Sequence, residues 1–129
     1  MRVLFIEVDT ERTWALASVG PACLGAWLRK SGHEASFFRY TLEMSPQNVL
    51  EEIASLQPGL LGFSLTTRQW LRAKELVGIL RKSVDIPVVA GGLHPTFAPE
   101  AVLAAAGFDW ACLGEGEEAL LELVEALEQ

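Results

Sequence analysis

Residues 58–92, PGLLGFSLTTRQWLRAKELVGILRKSVDIPVVAGG, contain one complete strand–helix–strand unit. The short apolar run at 60–65 is typical of a buried strand, and residues 67–83 carry a helical pattern of apolar and charged positions. A second apolar strand follows at 87–90. Two strands joined through a helix pair in parallel, because the right-handed crossover places the helix on a face of the sheet.

The same alternation extends to both ends of the chain. Further strands are predicted at 2–8, 34–40 and 108–113, and further helices at 22–30, 46–56, 99–106 and 117–127. Short and almost wholly apolar strands are expected where helices cover both faces of a sheet. The fold class is therefore α/β. It is a flavodoxin-like (Rossmann-like), doubly wound five-stranded parallel sheet of order 2-1-3-4-5 within three α/β/α layers.

Side-chain patterns give a first estimate of the core. In the helix at 67–83 the residues expected to face inward are Leu71, Leu76, Val77, Ile79 and Leu80. The residues expected to face water are Arg72, Lys74, Glu75, Arg81 and Lys82. Cys23 and Cys112 lie far apart in apolar surroundings, so we expect both to be small core residues.

Length and charge limit the possible functions. A chain of 129 residues forms one domain, 1–129, and its net charge of −7 argues against a nucleic-acid partner. No apolar run approaches the ~20 residues that span a bilayer, and no signal peptide is recognisable. We therefore expect a cytoplasmic protein without a membrane partner.

Ligands of such sheets bind beyond the carboxyl ends of the strands, near the reversal of strand order. The loops at this edge are 9–20, 64–67, 91–99 and 114–116. His33 is predicted at the opposite edge, where it has a structural role, and His94 is the one imidazole expected at the functional edge.

Hydroxyls, glycines and indoles mark these loops. Ser64, Thr66 and Thr67 follow the third strand, and Thr67 is expected to cap the next helix. Gly91-Gly92 either serves a turn or lets a bulky ligand approach the main chain. Trp14 and Trp70 either cover the rim of the core or line a flat macrocycle.

Other nucleotide and signalling sites fit the sequence poorly. Gly114-Glu115-Gly116-Glu117-Glu118-Ala119 matches G-x-G-x-x-A, but it follows the last strand and brings three carboxylates. The first loop is acidic where a flavin phosphate needs Ser, Thr and Gly, and a phosphorelay receiver would need an aspartate near Ser64. No nucleophile with an adjacent base and no metal-ligand cluster is recognisable, so no catalysis is expected from this chain alone.

The ordered motifs resemble a known family. They are Ser64-Leu65-Thr66, then Gly91-Gly92-Leu93-His94-Pro95-Thr96 with Pro99-Glu100, then Gly114-Glu115-Gly116-Glu117, preceded by PACLGAWLRKSG at 21–32. Together they are similar to the N-terminal cobalamin (vitamin B12)-binding domain of cobalamin-dependent radical SAM enzymes, and the resemblance covers essentially the whole chain.

This resemblance implies a corrin over the carboxyl edge and a nucleotide tail beside strands 1, 3 and 4. The cofactor-binding residues implied by the resemblance or by their place in the loops are Asp9, Thr10, Thr13, Trp14, Ser64, Thr66, Thr67, Trp70, Gly91, Gly92, His94, Gly114 and Glu115. Among them, Ser64 and Thr66 would hydrogen-bond the tail, and Gly91 and Gly92 would leave it room. A radical SAM domain following in the same protein would hold the iron–sulfur cluster and S-adenosylmethionine for methyl transfer or cyclisation.

Two departures refine this picture. The first loop lacks the histidine of Asp-x-His-x-x-Gly, which predicts base-off, His-off cobalamin. The three-cysteine cluster motif is absent from all 129 residues, so radical chemistry would belong to a downstream domain. The alternative is a docking module of the same fold that has lost cobalamin.

Overall fold

The computed structural model describes residues 1–10, 19–105, 107–114 and 116–129. Within these ranges eleven elements follow one another: β1 Arg2–Val8, α1 Val19–Lys30, β2 Glu34–Tyr40, α2 Pro46–Leu56, β3 Leu60–Ser64, α3 Thr67–Leu80, β4 Val88–Gly91, α4 Leu93–Phe97, α5 Pro99–Ala104, β5 Trp110–Ala111 and α6 Glu117–Glu128. The five strands form one sheet of order β2-β1-β3-β4-β5, and every pairing is parallel. The predicted fold class and strand order are confirmed.

Two apolar layers cover the sheet. Leu4, Ile6 and Val8 of β1 face α2, α3 and α5, whereas Val3 and Phe5 face α1 and α6. This division follows from the alternation of side chains along a strand. Helices on both faces explain why β3 and β4 are apolar except for Ser64 at the end of β3.

Helix α3 shows which residues form its buried stripe. Trp70, Ala73, Leu76, Val77 and Leu80 are buried, at the spacing of three and four residues that one helix face requires. The inward placement predicted for Leu71 and Ile79 is wrong, since they are 74% and 37% exposed.

Polar positions also differ from expectation. Arg72, predicted to face water, is half-buried, and its guanidinium donates to the carbonyl oxygens of Asp9, Tyr40 and Thr41.

Cys23 is exposed and Cys112 half-buried, so the core placement predicted for Cys23 is wrong. The N-cap of α3 is Thr66 instead of Thr67, and its backbone N–H donates to Gln69 Oε1 at 2.9 Å.

The last strand is shorter than predicted, and one helix was missed. β5 is an edge strand that pairs only at Trp110 and Ala111; Phe108 turns into the core, and the chain turns at Gly114, where φ is +70°. The segment after Gly92, for which no helix was predicted, forms the short helix α4. Gly32, just after α1, has φ of +89°, a conformation that glycine adopts readily.

Candidate functional site

Small residues on neighbouring strands leave one face of the sheet uncovered. In an inner row, Phe5 of β1 pairs with Gly62 of β3, which pairs with Val89 of β4. In an outer row nearer the carboxyl edge, Ser64 pairs with Gly91. Ser64 and Gly91 have little or no side chain, and the Phe5 ring lies over Gly62, so the space between this part of the sheet and the helices is not filled.

A cavity of about 190 Å³ occupies this space. Leu24 of α1 and Leu120 of α6 form its walls opposite the sheet. Its polar side chains include Ser64 and Glu117, which lie at the carboxyl edge beside Gly114. The cavity is therefore apolar inside and polar at its opening.

A wider groove adjoins the cavity above the ends of β1, β3 and β4. It has a volume of about 530 Å³, and its lining includes Thr10, Thr66 and Leu93. Ser64 and Gly92 line both the groove and the cavity. The two spaces are thus neighbours across the carboxyl edge, the edge at which ligands of such sheets bind.

The hydroxyl of Thr96 connects two of the loops at this edge. It donates to the carbonyl oxygen of Gly92 at 2.8 Å and accepts from the backbone N–H of Gly114 at 3.0 Å. Thr96 therefore fixes the turn after β4 relative to the turn after β5.

The two adjacent glycines at the end of β4 lack side chains for different reasons. A Cβ at Gly91 would lie 3.7 Å from Cβ of Cys112, an ordinary contact, so the protein itself has room there. A Cβ at Gly92 would lie 2.8 Å from the backbone nitrogen of Leu65, and φ is +97°. Gly92 is therefore required by the turn itself, whereas its contact with a ligand stays a prediction. That Gly91 leaves room for a ligand also stays a prediction.

Asp9 is held by protein groups at the start of the first loop. Its carboxylate lies 3.5 Å from Nε of Arg39, and its backbone N–H donates to the carbonyl oxygen of Tyr40 at 3.0 Å. Thr10, next in the chain, lines the groove. Thr13, Trp14 and Glu115, also predicted to bind the cofactor, lie outside the described residues.

Trp70 and His94 are buried together beneath the edge. Their rings stack with centroids 4.9 Å apart, and Phe108 packs against Trp70 at 5.3 Å. Trp70 is 8% and His94 9% exposed. Of the two alternatives for Trp70, these contacts favour the one in which its ring covers the rim of the core. His94 has Thr67 Oγ1 3.4 Å from its Nδ1, and no group of the described chain hydrogen-bonds its buried Nε2.

A family model for the B12 binding domain matches residues 14–124. The chain belongs to this family. The resemblance found in the motifs is thereby confirmed, and the site described above lies at the edge where that resemblance implies cobalamin.

Relatives of this B12-binding domain are much longer proteins. The anaerobic magnesium-protoporphyrin IX monomethyl ester cyclase of Rubrivivax gelatinosus is 32% identical to this chain. The match covers 100% of this chain and 25% of the cyclase. Among solved structures, TsrM, a radical S-adenosylmethionine methyltransferase from Kitasatospora setae with cobalamin and a 4Fe-4S cluster bound, has a TM-score of 0.88 at 23% identity. The match covers 98% of this chain and 24% of TsrM.

The cobalamin-dependent S-adenosylmethionine radical enzyme OxsB, with aqua-cobalamin bound, superposes with a TM-score of 0.86 at 18% identity. Here the match covers 98% of this chain and 19% of OxsB. Both likenesses confirm the fold.

Several lining residues of the B12-binding domain were missed from the sequence. Gly62 carried a signal, because a glycine inside a buried strand often marks close approach of another group. Leu24, Leu120 and Cys112 carried none, since they read as ordinary core residues. Burial, and secondarily the charge of Glu117, raises the pKa of the Cys112 thiol.

Within the described ranges, no three side chains of His, Cys, Asp or Glu come together as a metal site. Nor does any helix of that part of the chain have the length and apolar character needed to cross a bilayer.

Proposed function

We propose that this B12-binding domain holds cobalamin with its nucleotide tail in the cavity and its corrin over the groove. The observation that carries the proposal is the cavity itself, bounded by Gly62, Ser64 and Gly91 and open at the carboxyl edge. A ligand with a flat ring system and a long tail fits a shallow groove that adjoins a narrow cavity. Ser64, which lines both, is placed to hydrogen-bond the tail where it passes from one to the other.

The cofactor would be bound base-off and without histidine below cobalt. The sequence has two histidines. His33 lies at the amino edge, with Nδ1 3.1 Å from the Met1 ammonium, and His94 is stacked under Trp70. Neither imidazole is placed to ligate a metal above the groove, so an open lower face is favoured, and the axial ligands set the reactivity of the metal.

We further propose that the domain presents cobalamin to a radical SAM domain of the same protein. The chain corresponds to a quarter of the cyclase's length, which leaves room for such a domain in the relative. Iron–sulfur cluster and S-adenosylmethionine would be held there, and bound cobalamin supplies methyl-transfer or related one-electron chemistry. The parent reaction would be a methylation or a cyclisation, and this domain's residues bind and orient the cofactor.

Retention of a corrinoid tests the proposal directly. The domain is incubated with hydroxocobalamin, desalted, and its visible spectrum recorded. Wild type should retain corrin absorbance, and Gly91→Leu should lose it, because the new side chain enters the cavity while its Cβ makes only an ordinary contact with Cys112. Gly78→Leu is the matched control, since a Cβ at Gly78 meets no atom within 4 Å and lies on α3, away from the cavity. Absence of corrin from wild type would refute the proposal, as would full retention by Gly91→Leu.

The axial ligand is tested by electron paramagnetic resonance after reduction to cobalt(II). Base-off, His-off binding should give cobalt hyperfine lines without the triplet splitting caused by a coordinated nitrogen. A triplet in wild type that persists in His94→Phe would mean that the cofactor's own base is coordinated. A triplet lost in that variant would assign the ligand to His94.

A further inference from the structure

The cavity changes character from its opening to its floor. Ser64 and Gly91 form the outer row, and Phe5, Gly62 and Val89 lie two residues deeper along their strands. Two residues of a strand span roughly 6.5 Å, about the width of an aromatic ring system. If a flat base enters past Ser64, the edge of the base that is farthest from its ribose therefore reaches the inner row.

The inner row offers no hydrogen-bonding side chain. Phe5 and Val89 are 3% and 6% exposed, and Leu120 on the facing wall is 6% exposed. The Phe5 ring is held by stacking on Phe37, with centroids 5.4 Å apart at 17°. It lies across Gly62, whose added Cβ would be 3.0 Å from Phe5 Cδ1. The floor is thus a fixed, apolar surface.

We propose that this floor selects the lower base of the cofactor, favouring a benzimidazole-type base over a purine. The inference rests on the proposed function and goes beyond it. A benzimidazole presents only carbon at its far edge, whereas a purine presents ring nitrogens and an amino group there. Beside Phe5, Val89 and Leu120 those polar atoms would be desolvated without a partner.

The experiment compares three corrinoids by equilibrium dialysis, with the corrin absorbance as readout. They are hydroxocobalamin, a corrinoid of the same ring with adenine as lower base, and cobinamide, which has no nucleotide tail. One unpaired buried polar group corresponds to roughly a tenfold loss of affinity. The adenine corrinoid should therefore bind at least ~tenfold more weakly than cobalamin. Cobinamide should also bind more weakly than cobalamin, because it leaves the cavity empty.

The outcomes separate the two proposals. If the dissociation constant of the adenine corrinoid exceeds that of cobalamin by less than about tenfold, the proposed base selectivity is overturned, and the proposed cobalamin binding still stands. Cobinamide binding as tightly as cobalamin would mean that the tail does not enter the cavity, which also overturns it. Failure of all three corrinoids to bind would refute the proposed function itself.

A pair of matched variants locates the effect. Val89→Thr adds a hydroxyl to the floor at nearly constant size, and should lower the discrimination between bases about threefold or more, since the purine gains a partner. Val88→Thr makes the same change on the opposite face of β4, in the layer of α2, α3 and α5, and should leave the ratio unchanged. Equal ratios in wild type and both variants would show that this row does not select the base.

Discussion

Gly92 has a backbone that only glycine adopts without strain, with φ of +97° and ψ of −164°. Its missing side chain also lets the Leu65 backbone approach, so an added methyl would have to displace main chain. We predict that Gly92→Ala lowers the free energy of unfolding by about 3 kcal/mol or more, measured by urea denaturation. Gly91→Ala is the control and should cost less than about 1 kcal/mol. Equal stability of both variants would contradict the strained turn.

His94 is a packing residue in this structure. It belongs to the short helix α4, its ring stacks on Trp70, and its Nε2 has no partner among the described residues. We predict that His94→Phe keeps the stack, changes stability by less than about 1.5 kcal/mol and retains cobalamin. His94→Ala should cost about 3 kcal/mol, because truncating a buried ring leaves a cavity.

Both quantities can be read from one preparation of each variant. Thermal or urea unfolding reports the packing role, and corrin absorbance after desalting reports the binding role. A folded His94→Phe variant that fails to retain corrin would assign the imidazole to the cofactor instead.

Some residue positions were predictable and others were not. Ser64, Gly91 and Gly114 could be placed at the carboxyl edge because strand ends are recognisable in the sequence. The orientation of Trp70 was not recognisable, since an indole in the first turn of a helix can face outward or inward. Phe108 and His94, distant in sequence, decide that it faces inward.

At the scale of elements, the sequence predicted every strand of the sheet and its partner helices. Helix α4 was not predicted because its five residues, Leu93–Phe97, are too few to show a helical period and include a proline. Proline is compatible with the first turn of a helix, since the N–H groups there have no intrahelical acceptor. The length of β5 is set by its pairing with β4 alone, and the local sequence carries no pattern that shows how far this pairing extends.

Helix α3 joins the ends of β1 and β2 through Arg72. The guanidinium donates to Asp9 O at 2.6 Å, Tyr40 O at 2.9 Å and Thr41 O at 2.7 Å, and lies 4.0 Å from the Tyr40 ring centroid. We predict that Arg72→Met lowers the free energy of unfolding by about 2–3 kcal/mol, since methionine retains the stem packing and loses the hydrogen bonds.

Chemical denaturation measures this change. Lys74→Met, an exposed position two residues along the same helix, is the control and should change stability by less than about 0.5 kcal/mol. If both variants unfold at the same denaturant concentration as wild type, the three hydrogen bonds contribute nothing to stability.

At the scale of the whole molecule, the cavity is a property of the sheet's register. It exists because Gly62 and Gly91 stand on adjacent strands, on the same face, with Ser64 directly beside Gly91. Each residue is recognisable in the sequence, but a shift of one residue in either strand would turn one of them to the other face. The motifs therefore predicted at which edge of the sheet the site lies, whereas the depth of the cavity and its apolar floor could be recognised only in the structure.

Ion pairs are concentrated at the amino edge, opposite the cavity. There Arg2 Nε lies 2.5 Å from Glu34, and Glu128 pairs with the Met1 ammonium and His33. The hydrogen bond from the Met1 ammonium lowers the pKa of Glu128, and the hydrogen bond from Arg2 lowers that of Glu34. A carboxyl pKa that is lower in the folded state stabilises the fold above its unfolded pKa, and this contribution disappears as pH falls through the folded pKa.

We predict that wild type loses melting temperature more steeply than Glu128→Gln as pH falls below the ordinary carboxyl pKa of about 4.3. The two curves should be apart at neutral pH and converge in acid, where Glu128 is protonated and resembles the neutral glutamine. Glu125→Gln, an exposed change on the same helix, is the control and should follow wild type. Because both pairs lie at the far edge from Ser64 and Gly91, Glu128→Gln should leave cobalamin retention at neutral pH unchanged. Curves for wild type and Glu128→Gln that stay parallel into acid would show that the ion pair does not stabilise the fold.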